Sequence, residues 1–189
     1  TALYPNYLCT TSQHLSTSQK TEADYALAPC IERNFTLYSP VMTTLPIIEY
    51  PNDILTSPTK KIREVTTELT GLIDQMVATM RAVDGLGLAA PQVGHTIRLT
   101  VIEYRPDKGE NKRAAIPLLV LINPKIISRS SEEEIGEEGC LSLPGIELDV
   151  ARSLRIKVRA ETTTGEQIQF RATGLLARII QHEVDHLDG

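Results

Sequence analysis

The chain has 189 residues, 41% of them hydrophobic, and a formal net charge of −5. That supports one ordinary domain core plus an appendage. With no long basic run, it argues against a dedicated nucleic-acid binder, and no apolar stretch reaches the length needed to span a membrane. The cysteines, Cys9, Cys30 and Cys140, are odd in number and widely spaced, so they do not describe a disulfide framework.

Residues 1–41 are rich in Thr, Ser, Gln and Pro and have no apolar period. A transit peptide is Arg-rich and poor in acids, whereas this stretch sets Lys20 and Arg33 against Glu22, Asp24 and Glu32. It reads as a disordered extension or as sequence upstream of a start at Met42, with the folded domain over 42–189. Residues 45–51 read as a short extended segment, followed by turns at Pro51-Asn52-Asp53 and Ser57-Pro58. From about Thr66, Leu69, Leu72, Ile73, Met76, Val77 and Met80 recur at helical spacing, which predicts a core helix ending at Asp84-Gly85.

Residues 96–104 alternate and are rich in branched side chains, as a strand is. Residues 105–113 form a charged surface loop. Strands are predicted over 118–122 and 125–128, interrupted by Asn123-Pro124. Residues 130–134 are polar and acidic and read as solvent-facing. Residues 154–160 and 167–172 alternate around Thr164-Gly165, a hairpin signal. A second helix follows, with Thr173 as its N-cap and Leu175, Leu176, Ile179, Ile180, Val184 and Leu187 at helical spacing. Strands grouped between two helices indicate an α+β fold.

That second helix carries His182-Glu183-Val184-Asp185-His186. One turn apart on one face, His182 and His186 can share a metal ion, with Glu183 beside it to handle protons. The pattern also fits a buried helix with incidental histidines. A catalytic site needs a third protein ligand and an open position. Only Leu187, Asp188 and Gly189 follow His186, so the third ligand is expected upstream. Cys140, between Gly139 and Pro144, stands out over His14 and His95, although a small buried hydrophobe is the usual fate of a free cysteine. A third stretch, Gly85-Leu86-Gly87-Leu88-Ala89-Ala90-Pro91-Gln92, is small and apolar. Its glycines suit close approach of a ligand to backbone, and Gln92 is the one polar side chain among apolar neighbours.

Together, Gly85 to Gln92, Glu138-Gly139-Cys140-Leu141-Ser142 and Gln181 to His186 resemble, in order, the three motifs of the peptide deformylase family. The resemblance runs from about residue 45 to residue 189. It implies antiparallel sheets around a central C-terminal helix, and hydrolytic removal of formyl from N-formylmethionine at the start of new polypeptides. It further implies one divalent metal ion per chain, ferrous iron by family habit with Zn2+, Ni2+ or Co2+ as alternatives, on Cys140, His182 and His186. Glu183 would be the proton carrier. The Gln92 amide and the Leu141 backbone N–H would be donors to the developing oxyanion. Gly87 would pair its backbone with substrate, and Gly85, Leu86, Leu175 and Ile179 would line the methionine pocket. By position in the family pattern, Arg152 and Asp185 would form a buried ion pair. Bacterial family members usually continue past the residues matching Gly189, so the chain reads either as truncated or as a naturally short form.

The implied partners are formylmethionyl peptides emerging from the ribosome, with no direct nucleic acid, no membrane and a monomeric enzyme. The implied home is the bacterial cytoplasm, with an organellar stroma or matrix as the alternative. Two other classes share part of the pattern. A metallopeptidase would not need Cys140 or Gln92, and a structural metal module would need a fourth ligand, for which His95 is the strongest residue.

Overall fold

The computed structural model describes residues 43–106 and 114–189. The expectation for residues 1–41 and most of the loop at 105–113 therefore lie outside the described residues.

Helix α1 spans Thr67–Ala82, and the Thr66 hydroxyl caps it by accepting from the Leu69 N–H. Its buried face is the predicted one, with Leu69, Ile73, Met76, Val77 and Met80 packed on Leu88, Leu99, Val101 and Ile122. Asp84 turns at φ 52°, and the Gly85 N–H closes the helix end on Met80 O at 2.9 Å.

The chain then enters a five-stranded sheet in the order β1-β2-β3-β6-β7. Its strands are β1 (Gly87–Ala89), β2 (Leu99–Tyr104), β3 (Ile116–Arg129), β6 (Arg155–Glu161) and β7 (Gln167–Thr173). Every neighbouring pair is antiparallel. Alternation along β2 divides the core. Leu99 and Val101 face α1, while Ile102 belongs to the second cluster with Val158, Ala160, Ala177 and Ile180. Helix α2 (Gly174–Asp188) packs across β1, β2, β3, β6 and β7 as the central element. The fold is α+β, and no helix among the described residues is long and apolar enough to cross a membrane.

Two local expectations are corrected, and one hairpin is added. Asn123-Pro124 does not end a strand: β3 runs through it, with Asn123 at φ 52° and a register shift between Ile122 and Lys125. The Asn123 amide bonds both the N–H and C=O of Ile62 (2.9 and 2.8 Å), which anchors the bulge. Residues 131–134 are exposed, as expected. They lead into a separate hairpin, β4 (Glu133–Cys140) paired antiparallel with β5 (Leu143–Ser153). Its glutamates hide β4, which shows no apolar–polar alternation, whereas Ile146 to Val150 in β5 do alternate and form a readable strand signal. Thr173 does stand at the N-cap of α2, but its side chain makes no capping bond.

Candidate active site

The hairpin and α2 meet where the sequence motifs converge. Helical spacing puts Leu175, Arg178, His182, Asp185 and His186 along one side of α2. Cys140 is the last residue of β4, at the tight turn into β5. The Cys140 Sγ lies 3.3 Å from His186 Nε2, and the ligand-type atoms of Cys140, His182 and His186 all lie within 4.8 Å of one another. The two imidazole rings meet edge-on, with centroids 4.9 Å apart. An ion with bonds of about 2.3 Å to sulfur and 2.0–2.1 Å to nitrogen would set such atoms roughly 3.5 Å apart, so this donor set fits one. His95 is exposed and stands outside the cluster.

Burial shapes the chemistry of these groups. It pushes the His186 imidazole down to about 4, helped by neighbouring His182, so the neutral ring keeps a lone pair that suits a cation. Burial also raises the Cys140 thiol, as does the Glu183 carboxylate, while backbone N–H groups of Ser142 and Leu143 oppose the rise. A bound cation reverses that balance. Glu183 is buried at 3% exposure, and burial pushes its carboxyl up to about 8 against the hydrogen bond from Thr100 Oγ1 at 3.3 Å. Thr100 is the second residue of β2, so the sheet itself positions this carboxylate. Glu183 is absent from the ligand cluster.

Gln92 sits in a short 3-10 turn, Ala90–Val93, closed by Gly94 at φ 89°. Its Oε1 accepts from the Ala89 N–H at 2.9 Å, which leaves Nε2 as the outward end. That nitrogen lies 3.3 Å from Ser142 Oγ and 3.6 Å from Cys140 Sγ. Leu141 reaches back to Gly85, where a Cβ would stand 3.0 Å from its Cδ1. Leu86 is partly exposed beside them, whereas Ile179 is packed in the core cluster below. Leu175 instead lines an apolar recess of about 290 Å³ with Ile116 and Leu176 at the start of α2.

The expected Arg152–Asp185 contact is present at 2.5 Å, but it is not buried, since the Asp185 side chain is 56% exposed. The buried carboxylate on Arg152 is Glu138, held by two bonds of 3.0 and 2.9 Å. Glu138 also accepts from Arg178 Nη1 at 2.8 Å and faces His182 Nδ1 at 3.0 Å. Burial opposes its charge, but Arg152, His182 and Arg178 outweigh that and hold the carboxyl at about 2. By accepting from Nδ1, Glu138 orients the His182 ring, as carboxylates behind metal-binding histidines do. Arg178 adds bonds to the carbonyls of Gly136, Val150 and Glu134, clamping the hairpin to α2. Sequence reasoning missed the roles of Glu138, Arg178, Thr100 and Ser142. Glu138 was within reach, because it lies two residues before Cys140 and shares its strand face.

The chain matches the family model described as Polypeptide deformylase over residues 44–189. A peptide deformylase of Thermodesulfovibrio yellowstonii is 45% identical over 148 residues, 78% of this chain and 86% of that protein. Peptide deformylase 1 of Bacillus anthracis is 41% identical, covering 78% of this chain and 89% of that protein. Among solved structures, the class I type b peptide deformylase of Acinetobacter baumannii bound to Met-Ala-Ser is similar at a TM-score of 0.74 and 37% identity, covering 78% of this chain and 94% of that one.

Proposed function

The chain belongs to the polypeptide deformylase family and is an amide hydrolase that removes the formyl group from the N-terminal formylmethionine of new polypeptides; we propose that Cys140, His182, His186, Glu183, Gln92 and Leu141 carry this reaction. The supporting observation is the convergence of a thiol and two imidazoles within 4.8 Å, with the Gln92 amide pointed at the same spot.

Cys140, His182 and His186 would hold one divalent ion, ferrous iron by family habit. When bound, such an ion polarises the formyl oxygen and makes an attacking water more acidic. Glu183 takes a proton from that water and delivers it to the departing amine. The water oxygen joins the formyl carbon, the C–N bond breaks, and formate and a free α-amine leave. Gln92 Nε2–H and the Leu141 backbone N–H donate to the oxyanion as charge builds, a contribution of about 3–4 kcal/mol for one well-placed donor. Gly87 offers the substrate a backbone edge on β1. Gly85, Leu86 and Leu175 flank the methionine side chain. Ile179, which the structure buries, would support that pocket from below.

Residues 42–189 hold every group this reading uses, and residues 1–41 are dispensable to it. The enzyme acts as a monomer on peptides emerging from the ribosome. A reducing compartment such as the bacterial cytoplasm keeps Cys140 available as a ligand.

The test is formate release from formyl-Met-Ala-Ser by metal-loaded enzyme, alongside cleavage of unformylated peptides. Formate with an intact tripeptide is expected. Internal peptide cleavage without formate would replace this reading with a metallopeptidase.

A further inference from the structure

The five-stranded sheet is covered unevenly. On the face away from α2, α1 packs against β1 and β2. Along β6 the buried residues are Ile156, Val158 and Ala160, so the period of two turns Arg155, Lys157, Arg159 and Glu161 to the other face. Register then builds two adjacent cross-strand rows. Lys125 pairs with Arg159, which pairs with Gln169; Ser128 pairs with Lys157, which pairs with Arg171. Lys125, Arg159 and Arg171 are exposed and Lys157 is half-buried. Among the described residues none of these four takes part in an ion pair. The nearby charges are already engaged: Arg155 pairs with Glu132, and Glu161 accepts from Asn123.

Like charges directly opposite one another destabilise a sheet. The Lys125–Arg159 and Lys157–Arg171 pairs therefore oppose the fold and favour an external anion. The net charge of −5 conceals this, because acids such as Glu133, Glu137, Glu147 and Asp149 are gathered on the β4–β5 hairpin instead.

We propose that this sheet face docks double-helical RNA through its phosphates. Neighbouring strands lie ~4.8 Å apart and alternate residues ~7 Å apart along a strand, so four long cationic side chains spread over successive phosphates. Gln167, Gln169 and Ser128 stand among them as partners for 2′-hydroxyls. None of the exposed large apolar side chains belongs to these rows. A membrane surface would call for apolar insertion beside the cations, and a single strand for aromatic stacking. A duplex needs neither.

The experiment titrates the full chain into a fluorescent RNA hairpin, an unstructured RNA and phosphatidylglycerol vesicles. Binding to the hairpin is expected to be strongest and to weaken on the order of 10²-fold between about 50 and 200 mM salt, as four phosphate contacts imply. The variant K125Q/K157Q/R159Q/R171Q is expected to lose at least tenfold in hairpin affinity, with an equal or higher melting temperature and unchanged formate release from a short peptide. Should that variant melt early, Lys125→Glu, which gives Arg159 a partner, carries the same test. Wild-type affinity for the hairpin in these variants overturns the proposal. So does preference of the native chain for vesicles or unstructured RNA, or no hairpin binding at about 50 mM salt.

Discussion

Gly87 leaves the space that the Glu183 carboxylate occupies. A Cβ at residue 87 would stand 2.3 Å from Glu183 Oε1, well inside any tolerated contact. Edge strand β1 and helix α2 therefore approach closely because residue 87 has no side chain. Gly87→Ala is expected to displace the carboxylate and to lower formyl hydrolysis by ~10²-fold or more, in line with lost acid–base catalysis. Cys140, His182 and His186 are untouched by the change, so metal content should stay near one per chain. Wild-type turnover in this variant would show that the Glu183 position does not matter.

Glu138 and Asp185 both contact Arg152, yet removing them should differ in effect. Glu138→Ala leaves Arg152 and Arg178 without their shared buried carboxylate and frees the His182 ring. A loss of ~3–5 kcal/mol is expected, together with weaker metal retention. Asp185→Ala removes a partner that is 56% exposed, and such exposed pairs are worth about 1 kcal/mol or less. Urea melts of both variants, with metal titration, check this. Equal losses would mean that burial does not set the hierarchy.

A second ion pair makes a pH prediction away from the site. Glu103 on β2 holds Arg81 of α1 at 2.7 Å and Arg105 at 2.8 Å. Its hydrogen bond from Arg81 lowers the carboxyl below 4.5 despite partial burial, with Arg105 helping. A carboxyl lowered by folding stabilises the fold above its unfolded value and loses that contribution as pH falls through the folded value. Native protein should thus exceed Glu103→Gln in stability at pH 7, by about 1 kcal/mol given the exposure of Arg81. The gap should close as pH falls below 4.5. Urea midpoints from pH 7 to pH 3 measure it, and a gap that widens on acidification would contradict the assignment.

Legibility followed the range of the interactions. Helix α1 was readable because Leu69 to Met80 keep helical spacing, and α2 because His182, Glu183 and His186 combine spacing with chemistry. Within the β4–β5 hairpin, β4 was not readable, since Glu133, Glu134, Glu137 and Glu138 fall on both of its faces and no apolar alternation remains, whereas Ile146, Leu148 and Val150 alternate with Glu147 and Asp149 along β5. The hairpin's stability comes from Arg178 and Arg152, 40 and 14 residues from Glu138 along the chain. Without that strand, the role of Glu138 behind His182 stayed hidden, and Asp185 alone was credited with Arg152. Asn123-Pro124 read locally as a break, because its anchor at Ile62 is 61 residues away. The basic rows on β3, β6 and β7 emerge only once the register is known.

The central claim is that Glu183 moves protons while Cys140, His182 and His186 hold the ion. Metal content and formate release, measured together on anaerobically purified Glu183→Gln and Cys140→Ala, test it most directly. Glu183→Gln is expected to keep its metal, with hydrolysis down by at least ~10²–10⁴-fold. Cys140→Ala is expected to lose metal, because one of three ligands is gone. A metal-free Glu183→Gln beside a metal-loaded Cys140→Ala would reverse the two roles and contradict the account.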